Sequence, residues 1–189
     1  MDLFARAIES VRSEAGADRV VVVGHSMGTP VVVQYARLYP RHVAAMVFVD
    51  GLVTPPNMGP ANGTPPEQQI SGPYGVKVRE GIIRSMFSAA TTPDTQEHIL
   101  SMMLGAPEAT AIGAMYATLD PAVWKGDVLT QPILGLYADK SALANREYMK
   151  THFPNLQYLE IAATGHFLML EKPDDFNHLL LEFLDKQTF

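Results

Sequence analysis

Cysteine is absent from all 189 residues. Its absence excludes a disulfide framework, thiolate zinc sites, iron–sulfur clusters and a cysteine nucleophile, so covalent catalysis would fall to another residue type. Basic residues are scarce: 14 Lys and Arg against 20 Asp and Glu leave a formal charge of −6. That is the wrong sign for a phosphate-seeking surface, and no nucleic-acid partner is expected. No apolar run approaches the roughly 18 residues of a bilayer span. The first residues mix Asp2, Arg6, Glu9, Arg12 and Glu14 with apolar Phe4, Ile8 and Val11, which reads as an amphipathic helix and not a signal peptide. A cytoplasmic protein with no membrane partner is expected. Apolar residues are plentiful, at 47%, enough for one domain with a sizeable core and against disorder, collagen-like or coiled-coil designs.

Four short apolar runs, Arg19 to Val23, Val43 to Asp50, Pro132 to Tyr137 and Leu156 to Ile161, lack the two-residue alternation of a half-wet sheet. They read as buried parallel strands with helices on both faces, an α/β layout. Helical patterns lie between them at Asp2 to Glu14, from Ser26 to about Tyr39, Ser141 to His152 and Pro173 to Lys186. The last has Phe176, Leu179, Leu180, Phe183 and Leu184 at helical spacing and the acids Asp174 and Asp175 in its first turn. The stretch 51–127 differs. Its Pro/Gly/Asn-rich start, Thr54 to Pro60 and Asn62 to Pro66, reads as irregular loop, and helical patterns follow near Val76 to Ala89, Pro93 to Leu104 and Glu108 to Leu119. Inserted between two core strands, it is a candidate lid on a core formed by 1–50 and 128–189.

Chemistry concentrates at Gly24-His25-Ser26-Met27-Gly28, a G-x-S-x-G between a β-branched run and a helix. A sharp strand-to-helix turn lifts the Ser26 hydroxyl above the sheet, and small residues two positions either side let the chains pass closely. Pro30 suits a first helical turn, although Val31, Val32 and Val33 alone suggest a strand. The helix N-terminus and the Met27 N–H then face a developing oxyanion. A serine hydroxyl needs a base, and His166 follows the last strand on a loop that can hang an imidazole over the sheet edge. The base needs a carboxylate. Asp139, just past the third strand, is the first choice; its plainer reading is a turn residue beside Ser141. Asp50 also ends a strand and is the rival acid, with a turn alongside Gly51 as its plainer reading.

With the elbow at Gly24 to Gly28, the acid at Asp139 and Gly165-His166-Phe167 after the last strand, the chain resembles the α/β-hydrolase-fold family over nearly its whole length. The resemblance implies a truncated α/β-hydrolase fold: a mostly parallel sheet of about four strands with helices on both faces and a helical cap insertion. It also implies Ser26 as nucleophile, His166 as general base and acid, Asp139 as orienting carboxylate and the Met27 N–H as one oxyanion donor, without cofactor or metal. Dehalogenases and epoxide hydrolases of this fold carry Asp at the elbow, so Ser26 points to a small-molecule ester or related acyl substrate. A C–C bond hydrolase or perhydrolase would use the same residues, and the contrasting reading is a ligand-binding module. Family members carry further strands before the elbow strand, and a loop there supplies the second oxyanion donor. At ~30 residues per βαβ unit, that half would need on the order of 80 residues, where only about 18 precede Arg19. Arg19 to Val23 would then be an exposed edge, through which chains are expected to pair as a homodimer or higher homo-oligomer.

His25 reads as packing and hydrogen bonding behind the nucleophile. His42, His98, His152 and His178 show no paired metal-ligand spacing. Met58, Met86, Met102, Met103 and Met115 fall in the insertion and are expected mostly in its core, with Tyr116 and Trp124 open between core and substrate roles. Glu171 and Lys172 read as a solvated helix approach.

Overall fold

The computed structural model describes residues 1–56 and 70–187. The expected irregular loop from residue 57 onward, with Met58, lies outside the described residues. Four strands, β1 (Val20–His25), β2 (Val43–Val49), β3 (Ile133–Ala138) and β4 (Leu156–Ile161), pair in parallel in the order β1-β2-β3-β4. Every residue of β2 and β3 is buried, which explains their unbroken apolar runs. The outer strands depart from that expectation. Val23 on β1 is 53% exposed, and Gln157 and Glu160 on β4 are exposed, because β1 and β4 are the two edges of the sheet, as expected for Arg19 to Val23.

The two faces of β2 and β3 sort their side chains by the strand period of two. Met46, Phe48, Ile133 and Tyr137 face α1 (Asp2–Glu14), α2 (Gly28–Leu38) and, further along, α6 (Arg146–His152), through Ala5, Val32, Val33, Tyr35, Ala36 and Met149. Ala45, Val47, Val49, Leu134 and Leu136 face α7 (Leu168–Glu171) and α8 (Pro173–Asp185), through Leu168, Phe176 and Phe183. The valine run of α2 is helical despite its β-propensity, with Pro30 in the first turn where the missing N–H costs nothing. Helix α1 is pinned to this layer by Glu9, whose carboxylate accepts from the Tyr35 hydroxyl at 2.9 Å and pairs with Arg12. Helix α6 is shorter than the pattern from Ser141 suggests. The Asn145 side chain accepts from Tyr148 N–H at 3.0 Å and starts the helix there, since its oxygen satisfies a first-turn N–H that has no partner within the helix.

Between β2 and β3 the described insertion holds α3 (Gly72–Ser85), α4 (Pro93–Leu104) and α5 (Glu108–Ala117). Ile83, Met86, Ile99 and Leu104 form a small apolar cluster that closes on Phe167, next to His166. Met102 and Met103 are 57% and 39% exposed, so the core role expected of the insertion's methionines fails for these two: they lie on the solvent side of α4. Among the described residues no helix is long and apolar enough to cross a membrane.

Phe48 has no solvent exposure and meets the Phe153 ring edge-on at 5.2 Å between centroids. Phe48→Ala is expected to cost about 3–5 kcal/mol in urea unfolding. Leu181, 57% exposed on α8, is the control, and Leu181→Ala should stay within about 0.5 kcal/mol of the parent.

Candidate active site

All four non-glycine residues with positive φ among the described residues stand just past the C-terminal ends of the four strands: Ser26 (54°), Asp50 (40°), Lys140 (56°) and Ala163 (55°). Left-handed backbone costs a non-glycine residue free energy and tends to collect where a chain must aim a side chain. The strain lies along the rim where parallel sheets place their sites.

At the first position β1 turns into α2 at Ser26. A Cβ on Gly24 would stand 2.5 Å from the Gly28 carbonyl oxygen, whereas one on Gly28 would meet nothing within 4 Å. Close passage therefore demands glycine at 24, and Gly28 contributes its backbone to the contact rather than the absence of a side chain. Thr29, fully buried, donates its hydroxyl to the Gly24 carbonyl at 2.9 Å, and a Cβ on Gly51 would collide with that same hydroxyl. Ser26 N–H donates to Val49 at 3.0 Å, and the Ser26 carbonyl accepts from Thr29 and Leu52 at 3.1 Å each. The Met27 N–H at the start of α2 has no hydrogen-bond acceptor among the described residues.

The carboxylate that meets His166 is Asp50, not Asp139. His166 Nδ1 donates to Asp50 Oδ2 at 2.6 Å, with both side chains buried. Register explains the difference. His25 is the partner of Val49, so Ser26 and Asp50 leave adjacent strands at the same level. The Asp50 N–H is held by the Leu136 carbonyl at 2.8 Å, and the positive φ turns its side chain over the end of β3, where Oδ1 accepts from Ala138 N–H at 3.2 Å. The last residue of β3 supplies that amide and the loop beyond it brings Ser141 beside Asp50, while Asp139 itself is exposed to solvent. Burial alone would raise the Asp50 carboxyl. Hydrogen bonds from His166, Ser141 and Ala138 outweigh it and hold the group below the ordinary aspartate range.

With Nδ1 donating to a carboxylate, the neutral His166 ring carries its acceptor lone pair on Nε2. Among the described residues no hydrogen bond engages the Ser26 hydroxyl; the elbow is tied to the His166 loop by its neighbour His25. The His25 ring lies 4.5 Å from the His166 ring, and its Nε2 meets the His166 carbonyl at 2.8 Å, an arrangement in which that nitrogen carries the proton. Burial, and then the neighbouring imidazole, push the His25 pKa down to about 4. Glu171 departs from the expectation of a solvated approach. Its carboxylate accepts from the Gly165 N–H at 2.5 Å and from the Thr91 hydroxyl, and Lys172 Nζ donates to the Ala162 carbonyl at 2.8 Å. Both side chains return to the loop that carries His166. A Glu five residues after a histidine gives no sequence signal for this, since only the turn through α7 folds it back.

Two of these groups, His25 and Asp50, contribute to the acid stability of the fold. His25 binds a proton near pH 6.5 when unfolded and near 4 when folded, so between those values the unfolded chain holds a proton that the folded chain refuses. Stability is full above about pH 6.5 and declines as pH falls toward 4. The depressed Asp50 acts in the same sense at lower pH, its contribution present above the usual aspartate pKa and lost as pH falls through the folded value. Urea titrations across pH 7 to 4 should show this decline, and His25→Gln, which keeps a donor toward the His166 carbonyl, should flatten it between 6.5 and 4.

A family model described as alpha/beta hydrolase fold matches residues 1–99. The chain is 23% identical over 240 aligned positions to Protein ECM18 of Saccharomyces cerevisiae and 22% identical over 210 to a 2-hydroxy-6-oxononadienedioate/2-hydroxy-6-oxononatrienedioate hydrolase of Paraburkholderia phymatum. These alignments take in 99% and 97% of this chain but 53% and 68% of the relatives, so the chain spans about half the length of the yeast protein and about two thirds of the bacterial one. Among solved structures it is similar to a thermophilic esterase from Thermogutta terrifontis, with a TM-score of 0.77, 21% identity, and coverage of 96% of this chain and 71% of that one. The family match over more than half of the residues agrees with the parallel sheet and the strained serine turn, and the chain belongs to the α/β hydrolase fold family.

Proposed function

We propose that the protein is a serine hydrolase that cleaves carboxylic esters through an acyl-enzyme, with Ser26 as nucleophile, His166 as general base and acid, Asp50 as orienting carboxylate and the Met27 N–H as an oxyanion donor. The observation that carries this reading is the buried 2.6 Å contact between His166 Nδ1 and Asp50. It fixes the tautomer in which Nε2 accepts a proton and stabilises the imidazolium that forms when it does. Ser26 Oγ attacks the ester carbonyl as its proton passes to Nε2, and the oxyanion of the tetrahedral intermediate lies toward the Met27 N–H at the positive end of α2. Collapse expels the alcohol, which takes the proton from Nε2. Water then loses a proton to Nε2 as it attacks the acyl carbon, and Ser26 leaves with that proton. The hydrogen bond between Ser26 and His166 belongs to the substrate-bound state, where such contacts tighten. The insertion between β2 and β3 serves as the cap over this site.

A second reading has one observation in its favour, the likeness to the Paraburkholderia hydrolase. The same residues would then cleave a C–C bond in a 2-hydroxy-6-oxo-dienedioate of the kind that relative's name describes.

Hydrolysis of short p-nitrophenyl esters tests both. Ser26→Ala should fall to background and lose covalent labelling by an organophosphonate. Asp50→Asn should lower kcat by a factor on the order of 10³–10⁴, because the amide leaves His166 in the wrong tautomer. Asp139→Asn should remain within about twofold of the parent, because that side chain is exposed and makes no hydrogen bond to the ring. Wild type and Ser26→Ala at equal background rates would favour a ligand-binding module, and turnover of the dienedioate alone would favour C–C cleavage.

A further inference from the structure

His166 ends a run of small residues, Ala162-Ala163-Thr164-Gly165, that offers little of its own to fix an imidazole. The loop is held from outside. The Gly165 N–H donates to Glu171 Oε2 at 2.5 Å, the His166 N–H donates to the Met86 carbonyl at 3.3 Å, and the His166 carbonyl meets His25 Nε2 at 2.8 Å. The second oxygen of Glu171 accepts from the Thr91 hydroxyl. Thr91 is buried, and its oxygen in turn accepts from the Ser88 N–H at 2.9 Å. A Cβ on Gly165 would stand 2.9 Å from Ser88 Cβ. The turn 86–91, which joins α3 to α4 in the insertion, is therefore bonded and packed directly onto the loop that carries the histidine.

We infer that Glu171 is a positioning residue for His166, anchored at its other oxygen by Thr91, so that the placing of the imidazole depends on the seating of the 86–91 turn of the insertion. The inference rests on the reading of His166 as the base. Two donors from different segments converge on one carboxylate, and charge-assisted bonds of this kind are the strong ones. Gly165 has the most backbone freedom of any residue type, so losing the bond to its N–H releases the peptide adjoining His166. A displacement of about 1 Å in a catalytic group can cost about 10²-fold in rate.

Four variants test this with p-nitrophenyl ester kinetics and circular dichroism. Glu171→Ala should keep the fold and lower kcat by about tenfold or more, with KM within about threefold. Glu171→Gln should recover most of the loss, because its carbonyl can accept from Gly165 while its amide donates to a reversed Thr91 hydroxyl. Thr91→Val should lower kcat, and Thr91→Ser should match the parent. The downfield proton resonance of His166 Nδ1–H should broaden or shift in Glu171→Ala and persist in Thr91→Ser, a readout independent of turnover. Folded Glu171→Ala with parental kcat and an unmoved resonance would overturn the inference, as would Glu171→Gln no better than Ala. A loss of melting temperature alone would assign Glu171 to fold stability and overturn it too. Should Glu171→Ala fail to fold, the Thr91 pair decides by the same criteria. Wild type no faster than Ser26→Ala is a different result: it defeats the reading of the site itself, whereas failure of this inference leaves Ser26-dependent turnover intact.

Discussion

One hydrogen bond organises the rim at the strand ends, the 2.6 Å contact between Asp50 and His166 across 116 positions of sequence. Both groups are buried, and a carboxylate is driven out of an apolar setting unless donors repay its lost water. Here they do: His166 and Ala138 donate to Asp50 and, with Ser141 alongside, keep it ionised against the pull of burial. The need to satisfy that carboxylate draws together the ends of β2 and β3 and the loop after β4.

Aiming side chains along one rim has a local cost. Ser26, Asp50, Lys140 and Ala163 all hold left-handed backbone, at of order 1–3 kcal/mol apiece. Such conformations persist only where neighbours over-determine them. The wholly buried β2 and β3, the Thr29 hydroxyl wedged between Gly24 and Gly51, and the Tyr137 hydroxyl donating to the Gly51 carbonyl at 3.1 Å supply that constraint. Rigidity in the sheet and strain at its edge are two sides of one arrangement.

The insertion joins the same system. Its apolar cluster closes on Phe167, and its 86–91 turn holds the consecutive Gly165 and His166 N–H groups, the first through Glu171 and the second at the Met86 carbonyl. A segment placed between β2 and β3 in sequence thus bears on a histidine that follows β4, and the setting of its imidazole is shared between core and insertion.

The strands, the valine-rich helix after the elbow, the three insertion helices and the sharp turn at Ser26 were legible in the sequence, because each rests on a local signal: an unbroken apolar run, a 3.6-residue period, a glycine forced by a sharp turn. Which carboxylate meets His166 was not. Asp50 and Asp139 each follow a strand, and no local pattern separates them. The decision came from the parallel register that sets Val49 beside His25 and from a positive φ at Asp50, while Asp139 was left in solvent. Glu171 escaped for a related reason, since only the fold of α7 brings its carboxylate back to Gly165. The sequence by itself determined which segments are strands and helices and which residue types are available for chemistry. Tertiary structure decided which of them meet, because contact between residues more than a hundred positions apart is a property of strand order, register and backbone aim.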